Sequence, residues 1–185
     1  MILTIMLAST HAAAAFSPVR SKVLPRRVVT NEAIAVFGGS GQLGSEVVYQ
    51  TLQQGEAVAT LVRDKSKLVV PKGSGGALAG QPLTGAFVVE GTVTSQEDVD
   101  RVFANNDITG AVVCLGGKTK NVGKTMLFDG TACVVDACKR FGVKRIAVVT
   151  SIGCGSSESQ APFFFKILMK TMMSSIFADK NKQGE

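Results

Sequence analysis

Phe37-Gly38-Gly39-Ser40-Gly41-Gln42-Leu43-Gly44 is the stretch on which the reading of this chain turns. A continuous apolar run, Ala33 to Phe37, precedes it and has the length and composition of a buried strand. Behind it, from Gln42 to Gln54, Leu43, Val47, Val48 and Leu52 recur at helical spacing and predict one apolar face. Gly55 stands where a helix-ending glycine is expected, and Ala57 to Val62 reads as a second strand. A bend so poor in side chains leaves backbone N–H groups accessible. The helix that starts there adds partial positive charge, so the bend suits an anion.

The glycines satisfy GxGxxG from Gly39 and GxxGxxG from Gly38. Alone such a pattern is weak. Between a strand and an amphipathic helix, within a βαβ unit of about 30 residues, it is the dinucleotide pattern, in which the backbone cradles a pyrophosphate. The competing reading is a glycine turn that binds nothing. A P-loop is excluded, because no GK[ST] closes this loop: Gly44 is followed by Ser45 and Glu46. The end of the second strand discriminates between the two nicotinamide dinucleotides. Sites for NAD(H) place an Asp or Glu there for the ribose 2′-hydroxyl, whereas this chain has Leu61-Val62-Arg63-Asp64, with Lys65 and Lys67 nearby. A guanidinium at Arg63 suits a 2′-phosphate through paired, charge-assisted hydrogen bonds, which favours NADP(H) over NAD(H). The alternative leaves Arg63 in solvent and gives the ribose to Asp64.

Outward from this unit the pattern continues to alternate. Pro71 to Gly85, rich in glycine with two prolines, reads as a surface loop. Phe87 to Val89 is a third strand, Gln96 to Asn105 a helix with Val99, Val102 and Phe103 inward, and Ala111 to Leu115 a fourth strand ending in Gly116-Gly117. Thr125 to Phe141 is a long helix closed by Gly142, and Arg145 to Thr150 a fifth strand. The order β-α-β-β-α-β-α-β, with continuously apolar strands, predicts an α/β fold: a Rossmann-like doubly wound parallel sheet covered on both faces. The last stretch, Phe163 to Phe177, carries an apolar stripe interrupted by Lys166 and Lys170. It is too short and too charged for a membrane span, which takes roughly 20 apolar residues. It reads as a helix packed on the domain or on a second subunit, with a wall of a substrate pocket as the other possibility.

Composition narrows the function. The 185 residues allow one domain with a real core. The net charge of +6 would suit nucleic acid, but residues 1–31 hold Arg20, Lys22, Arg26 and Arg27 and no acid. That leaves 16 of the 20 basic side chains against all 14 acidic ones in the remainder, so the domain has no basic stripe for phosphates. Cys114, Cys133, Cys138 and Cys154 stand singly, His11 is the only histidine, and neither a zinc site nor a disulfide framework is spelled out; buried free thiols are expected. Residues 1–31 read as a presequence and 32–185 as the domain. Ile2 to Ala15 has the length of a signal-peptide core, and Phe16 to Arg27 is basic, hydroxylated and free of acids, as transit peptides are. Ala15-Phe16-Ser17-Pro18 resembles the junction of bipartite presequences in algae with secondary plastids, which implies the plastid stroma. A plain secretory signal or a mis-set start codon, with a cytoplasmic protein, are the alternatives.

With these pieces in place, the chain resembles an atypical short-chain dehydrogenase/reductase of the NmrA-like NAD(P)-binding type. The matching segments are AVFGGSGQLG (35–44), LVRDKSKL (61–68), VEGTVTSQEDV (89–99), FDGTACVVDACKRFGVKRIAVVTSIGCG (128–155) and ADKNKQGE (178–185). The resemblance implies cofactor contacts from Gly38, Gly39, Ser40, Gly41, Gln42, Leu43 and Gly44 and from Arg63. It adds Thr92 and Val93 by the adenine, Leu115, Gly116 and Gly117, and Ser151 near the nicotinamide. It also implies a small-molecule substrate, which these residues do not specify. Two departures bear on activity. The family's Tyr-x-x-x-Lys pair is missing, since Tyr49 is the only tyrosine, and Phe177 beside Lys180 has no proton to give. Ser151 keeps the family's hydroxyl, either in a catalytic role or as a strand-end cap. The chain also ends at Glu185 in what reads as a helix, where relatives continue into a sixth strand and a substrate region, so a truncated sequence or an absent substrate portion is expected. Three functions follow: an NADPH-dependent oxidoreductase, a non-catalytic NADP(H) sensor or assembly factor, and, disfavoured for want of an acid/base pair, an epimerase.

Overall fold

The computed structural model describes residues 32–104, 106–116 and 125–150. The expectations placed on residues 1–31, on Gly117 and Ser151, on Cys154 and on 163–185 lie outside these residues. Among the described residues five strands and three α-helices follow in the order β1 (Glu32–Phe37), α1 (Gln42–Gln53), β2 (Ala57–Val62), β3 (Phe87–Glu90), α2 (Gln96–Ala104), β4 (Asp107–Val113), α3 (Met126–Arg140) and β5 (Ile146–Val148). All pairings are parallel and the strand order is β3-β2-β1-β4-β5. The sheet therefore grows one way from β1 through α1 to β2 and β3, and then the other way, through α2 to β4 and α3 to β5. The carboxyl ends of β1 and β4 flank the point of reversal, where open α/β sheets bind ligands.

The central strands β1 and β2 and the second half of β4 are apolar on both faces because both faces are covered, whereas at the edges Phe87 and Val88 of β3 and Ile146 of β5 are exposed. Ala33, Ala35, Phe37, Ala59, Leu61, Ala111 and Val113 point toward α2 and α3, where they meet Val99, Val102, Phe103, Leu127, Val134 and Ala137. Val36 and Val58 point the other way, against Val48 of α1. Phe37 stacks on Phe103, and Phe103 on Phe141, with ring centroids 6.0 and 5.5 Å apart. Helix ends obey local chemistry: Gly55 and Gly142, just past α1 and α3, adopt φ of 82° and 72°, which glycine reaches without strain.

Four expectations need correction. β4 begins at Asp107, not Ala111, because Glu32 and Asp107 are register partners at the amino end of β1 and the ladder runs from there. Its first residues alternate exposed and buried, so they lack the continuous apolar signature of its second half. Leu43, expected on the apolar face of α1, is 49% exposed, whereas Val48 of the same face is fully buried. Residues 71–85 are more than a surface loop: Val69 bridges Pro82, and Leu68, Val70 and Leu83 complete the core on the α1 side. Glu46 of α1 fastens this segment by accepting hydrogen bonds from the Gly73 and Ser74 amides and the Ser74 hydroxyl. Finally, Cys133 is half-buried, while Cys114 and Cys138 are buried; all three are free thiols, and burial raises their pKa above the ordinary thiol value.

Candidate dinucleotide site

The turn between β1 and α1 is built so that three of its glycines, Gly38, Gly39 and Gly44, are required by their neighbours. Gly38 has φ 88°, and a Cβ on it would lie 2.5 Å from the Cys114 carbonyl oxygen at the end of β4. A Cβ on Gly39 would lie 2.3 Å from Thr60 Oγ1, and one on Gly44 would lie 2.0 Å from the Gly38 carbonyl oxygen. Real Cβ contacts do not come this close, and two of the three obstacles are backbone that cannot rotate away. The Gly41 amide donates to Gly38 O at 2.9 Å and closes the turn, and the Ser45 amide donates to Gly41 O as the first helical bond.

Between these two bonds lie the amides of Gln42, Leu43 and Gly44. Among the described residues none of the three meets a protein acceptor: Gly41 at the N-cap has no side chain, and the first turn of α1 holds no acid. Most helices satisfy these orphan donors with a Ser, Thr, Asp or Asn cap. Here they are left aligned with the positive end of the helix dipole, beside the exposed Ser40, Gly41 and Gln42. A group that supplied several anionic oxygens would satisfy them, so the chemistry of the donor set fits a pyrophosphate.

Around the turn stand the other predicted residues. Arg63 follows β2 directly, is exposed, and has no ion-pair or hydrogen-bond partner among the described residues. Asp64 is committed locally. Its carboxylate accepts from the Ser66 amide and hydroxyl, at 3.0 and 2.6 Å, and pairs with Lys67 at 3.3 Å; these bonds hold its carboxyl below the usual aspartate range. Lys65 is drawn to Glu90. The cations after β2 are thus sorted, with Lys65 and Lys67 engaged and Arg63 left over.

Thr92 and Val93 lie in the loop after β3. Asp98 of α2 holds this loop by accepting the Thr92 amide at 2.8 Å while it pairs with Arg101, which in turn donates to Glu90 O. The Thr92 amide first, then Arg101, keeps the Asp98 carboxyl below its ordinary value. A group shifted down stabilises the fold above the unfolded carboxyl pKa of about 4, and that contribution disappears as pH falls through the lower, folded value. Asp98→Asn is therefore expected to melt a few degrees below the wild type at pH 7, with the gap closing toward pH 3; thermal denaturation followed by circular dichroism at the two pH values checks it. Loss of the same few degrees at both would show that the charge is not what ties the loop.

Val93 and Leu115 are brought together over α3: a Cβ on Gly130 would lie 2.7 Å from Val93 Cγ1 and 3.0 Å from Leu115 Cδ1. Leu115 is buried and Val93 half-buried, so both side chains form a floor and leave backbone, with the exposed Thr92 and Gly116, toward the carboxyl edge of the sheet. Sequence reading missed Thr60 and Gly130. A threonine in a strand and a glycine inside a helical pattern were their only signals, and each packs against residues far away in the chain.

The profile of the NAD(P)H-binding family matches residues 38–185, four-fifths of the chain, beginning at the first glycine of the turn. The chain belongs to the NAD(P)H-binding family. This family member is similar to an uncharacterized chloroplastic protein of Arabidopsis thaliana, 28% identical over 161 residues that make up 82% of this chain and 54% of that protein. It is also 29% identical to the UDP-glucose 4-epimerase of Bacillus subtilis over 128 residues, 64% of this chain and 36% of the epimerase. The chain thus spans about half the length of the first relative and about a third of the second. Among solved structures, ChuY, an anaerobillin reductase of Escherichia coli O157:H7, superposes with a TM-score of 0.57 at 19% identity, covering 80% of this chain and 64% of ChuY. The Bordetella bronchiseptica enzyme WbmG in complex with NAD superposes with a TM-score of 0.59 at 20% identity, covering 88% and 50%. At such identities the superpositions establish the shared Rossmann-like fold.

Proposed function

We propose that this NAD(P)H-binding protein takes NADP(H), with the pyrophosphate on the Gln42, Leu43 and Gly44 amides and the 2′-phosphate on Arg63, and that it is an oxidoreductase acting on a small molecule. The observation that carries the NADP(H) preference is the Arg63 guanidinium, without a partner among the described residues, next to an Asp64 whose carboxylate already accepts from Ser66 and pairs with Lys67. An NAD(H) site needs that carboxylate for the ribose 2′-hydroxyl. Thr92 and Val93 border the adenine in this reading, and Gly38, Gly39, Ser40, Gly41, Leu115 and Gly116 line the path toward the nicotinamide; Gly117 and Ser151, which the resemblance adds as cofactor contacts, lie outside the described residues. The cofactor, when bound, supplies hydride; the chain's own residues bind and orient it.

A second reading, a non-catalytic NADP(H) sensor or assembly factor, is favoured by one observation. The only tyrosine, Tyr49, packs with the core on the α1 side, so no phenol of this chain serves as a proton donor at the carboxyl edge. Titrating the full chain with NADPH and NADH by calorimetry, then assaying NADPH oxidation with quinones, flavins and aldehydes, separates the two. Tighter binding of NADPH with turnover of any acceptor supports the oxidoreductase. Binding without turnover supports the sensor, and tighter binding of NADH overturns the role given to Arg63.

Residues 1–31 are proposed as a plastid presequence preceding a domain at 32–185, supported by their acid-free basic composition and by the chloroplastic relative. A fluorescent protein fused behind residues 1–31 should enter plastids; retention in the cytoplasm or secretion would remove this assignment. Among the described residues no helix is long and apolar enough to cross a membrane.

A further inference from the structure

Among the described residues Thr60 is one of few polar side chains buried in the core, fully inaccessible in the middle of an otherwise apolar β2. Its hydroxyl donates to the Val36 carbonyl oxygen at 2.7 Å, and Val36 is its register partner across β1 and β2. The same hydroxyl also meets the turn. The position a Cβ of Gly39 would take lies 2.3 Å from Thr60 Oγ1 and 3.3 Å from Val48 Cγ2 of α1. The Thr60 hydroxyl thus fills the space that the missing side chain of Gly39 vacates, between the end of β1 and the first turns of α1.

We propose that Thr60 is the positioning residue of the 38–44 turn: its hydroxyl, anchored to Val36 O, sets how close Gly39 sits to the sheet and hence where the Gln42, Leu43 and Gly44 amides point. Thr60 is buried and touches no ligand; it acts through Gly39. The inference rests on the reading of those amides as the pyrophosphate site. Two properties of the hydroxyl matter. It is smaller than a methyl group, and it is pinned by its hydrogen bond, whereas a methyl in its place would crowd Gly39 and leave the Val36 carbonyl without this donor. Serine keeps the pinned oxygen and gives up only the methyl that packs in the core.

The test uses the full chain as wild type, Thr60→Val, Thr60→Ser and Thr60→Ala. Hydrogen exchange of the Gly41 and Ser45 amides, the hydrogen-bonded ones of the 38–45 segment, is measured without ligand, and NADPH affinity by calorimetry. Thr60→Val should exchange at least tenfold faster in that segment and bind NADPH at least tenfold more weakly. Thr60→Ser should match the wild type within twofold in both, although it melts lower. Thr60→Ala removes the hydroxyl without adding bulk and should also exchange faster, so a Thr60→Val that fails to fold does not end the test. Unchanged exchange in both hydroxyl-free variants overturns the role of Thr60, as does a Thr60→Ser whose affinity falls in step with its melting temperature. If the wild type binds no NADPH while the hydroxyl-free variants exchange faster, the pyrophosphate reading fails and the positioning of the turn by Thr60 stands. If the wild type binds and Thr60→Val binds equally well, the positioning role alone fails.

Discussion

Gly44→Ala should leave a chain that no longer binds a nicotinamide dinucleotide. A methyl at this position would lie 2.0 Å from the Gly38 carbonyl oxygen and 2.6 Å from its carbonyl carbon. Both atoms are backbone at the close of β1, and the same carbonyl accepts the Gly41 amide that shapes the turn. Relief requires either moving the first turn of α1 off the sheet or opening the Gly38–Gly41 bond, and each displaces the three unsatisfied amides. Overpacking of this kind costs about 3 kcal/mol or more where the obstacle is rigid. The expected outcome is a drop in the midpoint of urea unfolding together with loss of NADPH binding at millimolar ligand. A Gly55→Ala control meets no atom within 4 Å and only the strain of its positive φ, so it should lose some stability and keep its affinity. A Gly44→Ala protein that bound NADPH as tightly as the wild type would show that the turn tolerates a side chain, against the geometry.

The second large effect concerns which dinucleotide is chosen. Arg63→Ala should weaken NADPH binding by about 10- to 100-fold, the range given by a charged hydrogen-bond partner worth about 1.5–3 kcal/mol at about 1.4 kcal/mol per decade. NADH affinity should change less than about twofold, because among the described residues Arg63 meets no protein group whose loss would spread the damage. Arg63→Glu should go further and invert the preference, by repelling the phosphate and offering a carboxylate to the 2′-hydroxyl. Asp64→Ala separates the two accounts of this corner. Its carboxylate caps the short turn at Lys65–Lys67, so its loss should affect the local turn more than the choice of cofactor. Equal weakening of NADPH and NADH by Arg63→Ala would mean that the guanidinium is not reading the 2′-phosphate.

The element order and the turn were legible because each was written locally. The glycine spacing, the apolar run before it and the periodic run behind it all fall between Ala33 and Gln54, and no distant contact overrides them. Leu43 shows the limit of that reading. Its spacing matches the buried face, yet it stands in the first turn of α1 at the carboxyl edge of the sheet, where the protein leaves it exposed. The early start of β4 was hidden because Asp107, Thr109 and Gly110 carry no apolar signal, and their strand character comes from pairing with β1. Likewise the 71–85 segment has the composition of a free loop, and it is ordered from outside, by Glu46 on α1 and by the bridge from Val69 to Pro82. Thr60 and Gly130 were illegible for the same reason in sharper form. Thr60 is 21 positions from the glycine it supports, and Gly130 lies against Val93 and Leu115, so neither role exists until the sheet is assembled.

Backbone resonances offer the most direct examination of the central claim. In a 15N-labelled sample of the full chain titrated with NADPH, the amides of Gln42, Leu43 and Gly44 should show the largest shifts and move downfield, as donors do on meeting phosphate oxygens. Val58 and Val102, deep in the two cores, should stay in place. Saturable NADPH binding that left those three amides unmoved would place the dinucleotide elsewhere and contradict the account.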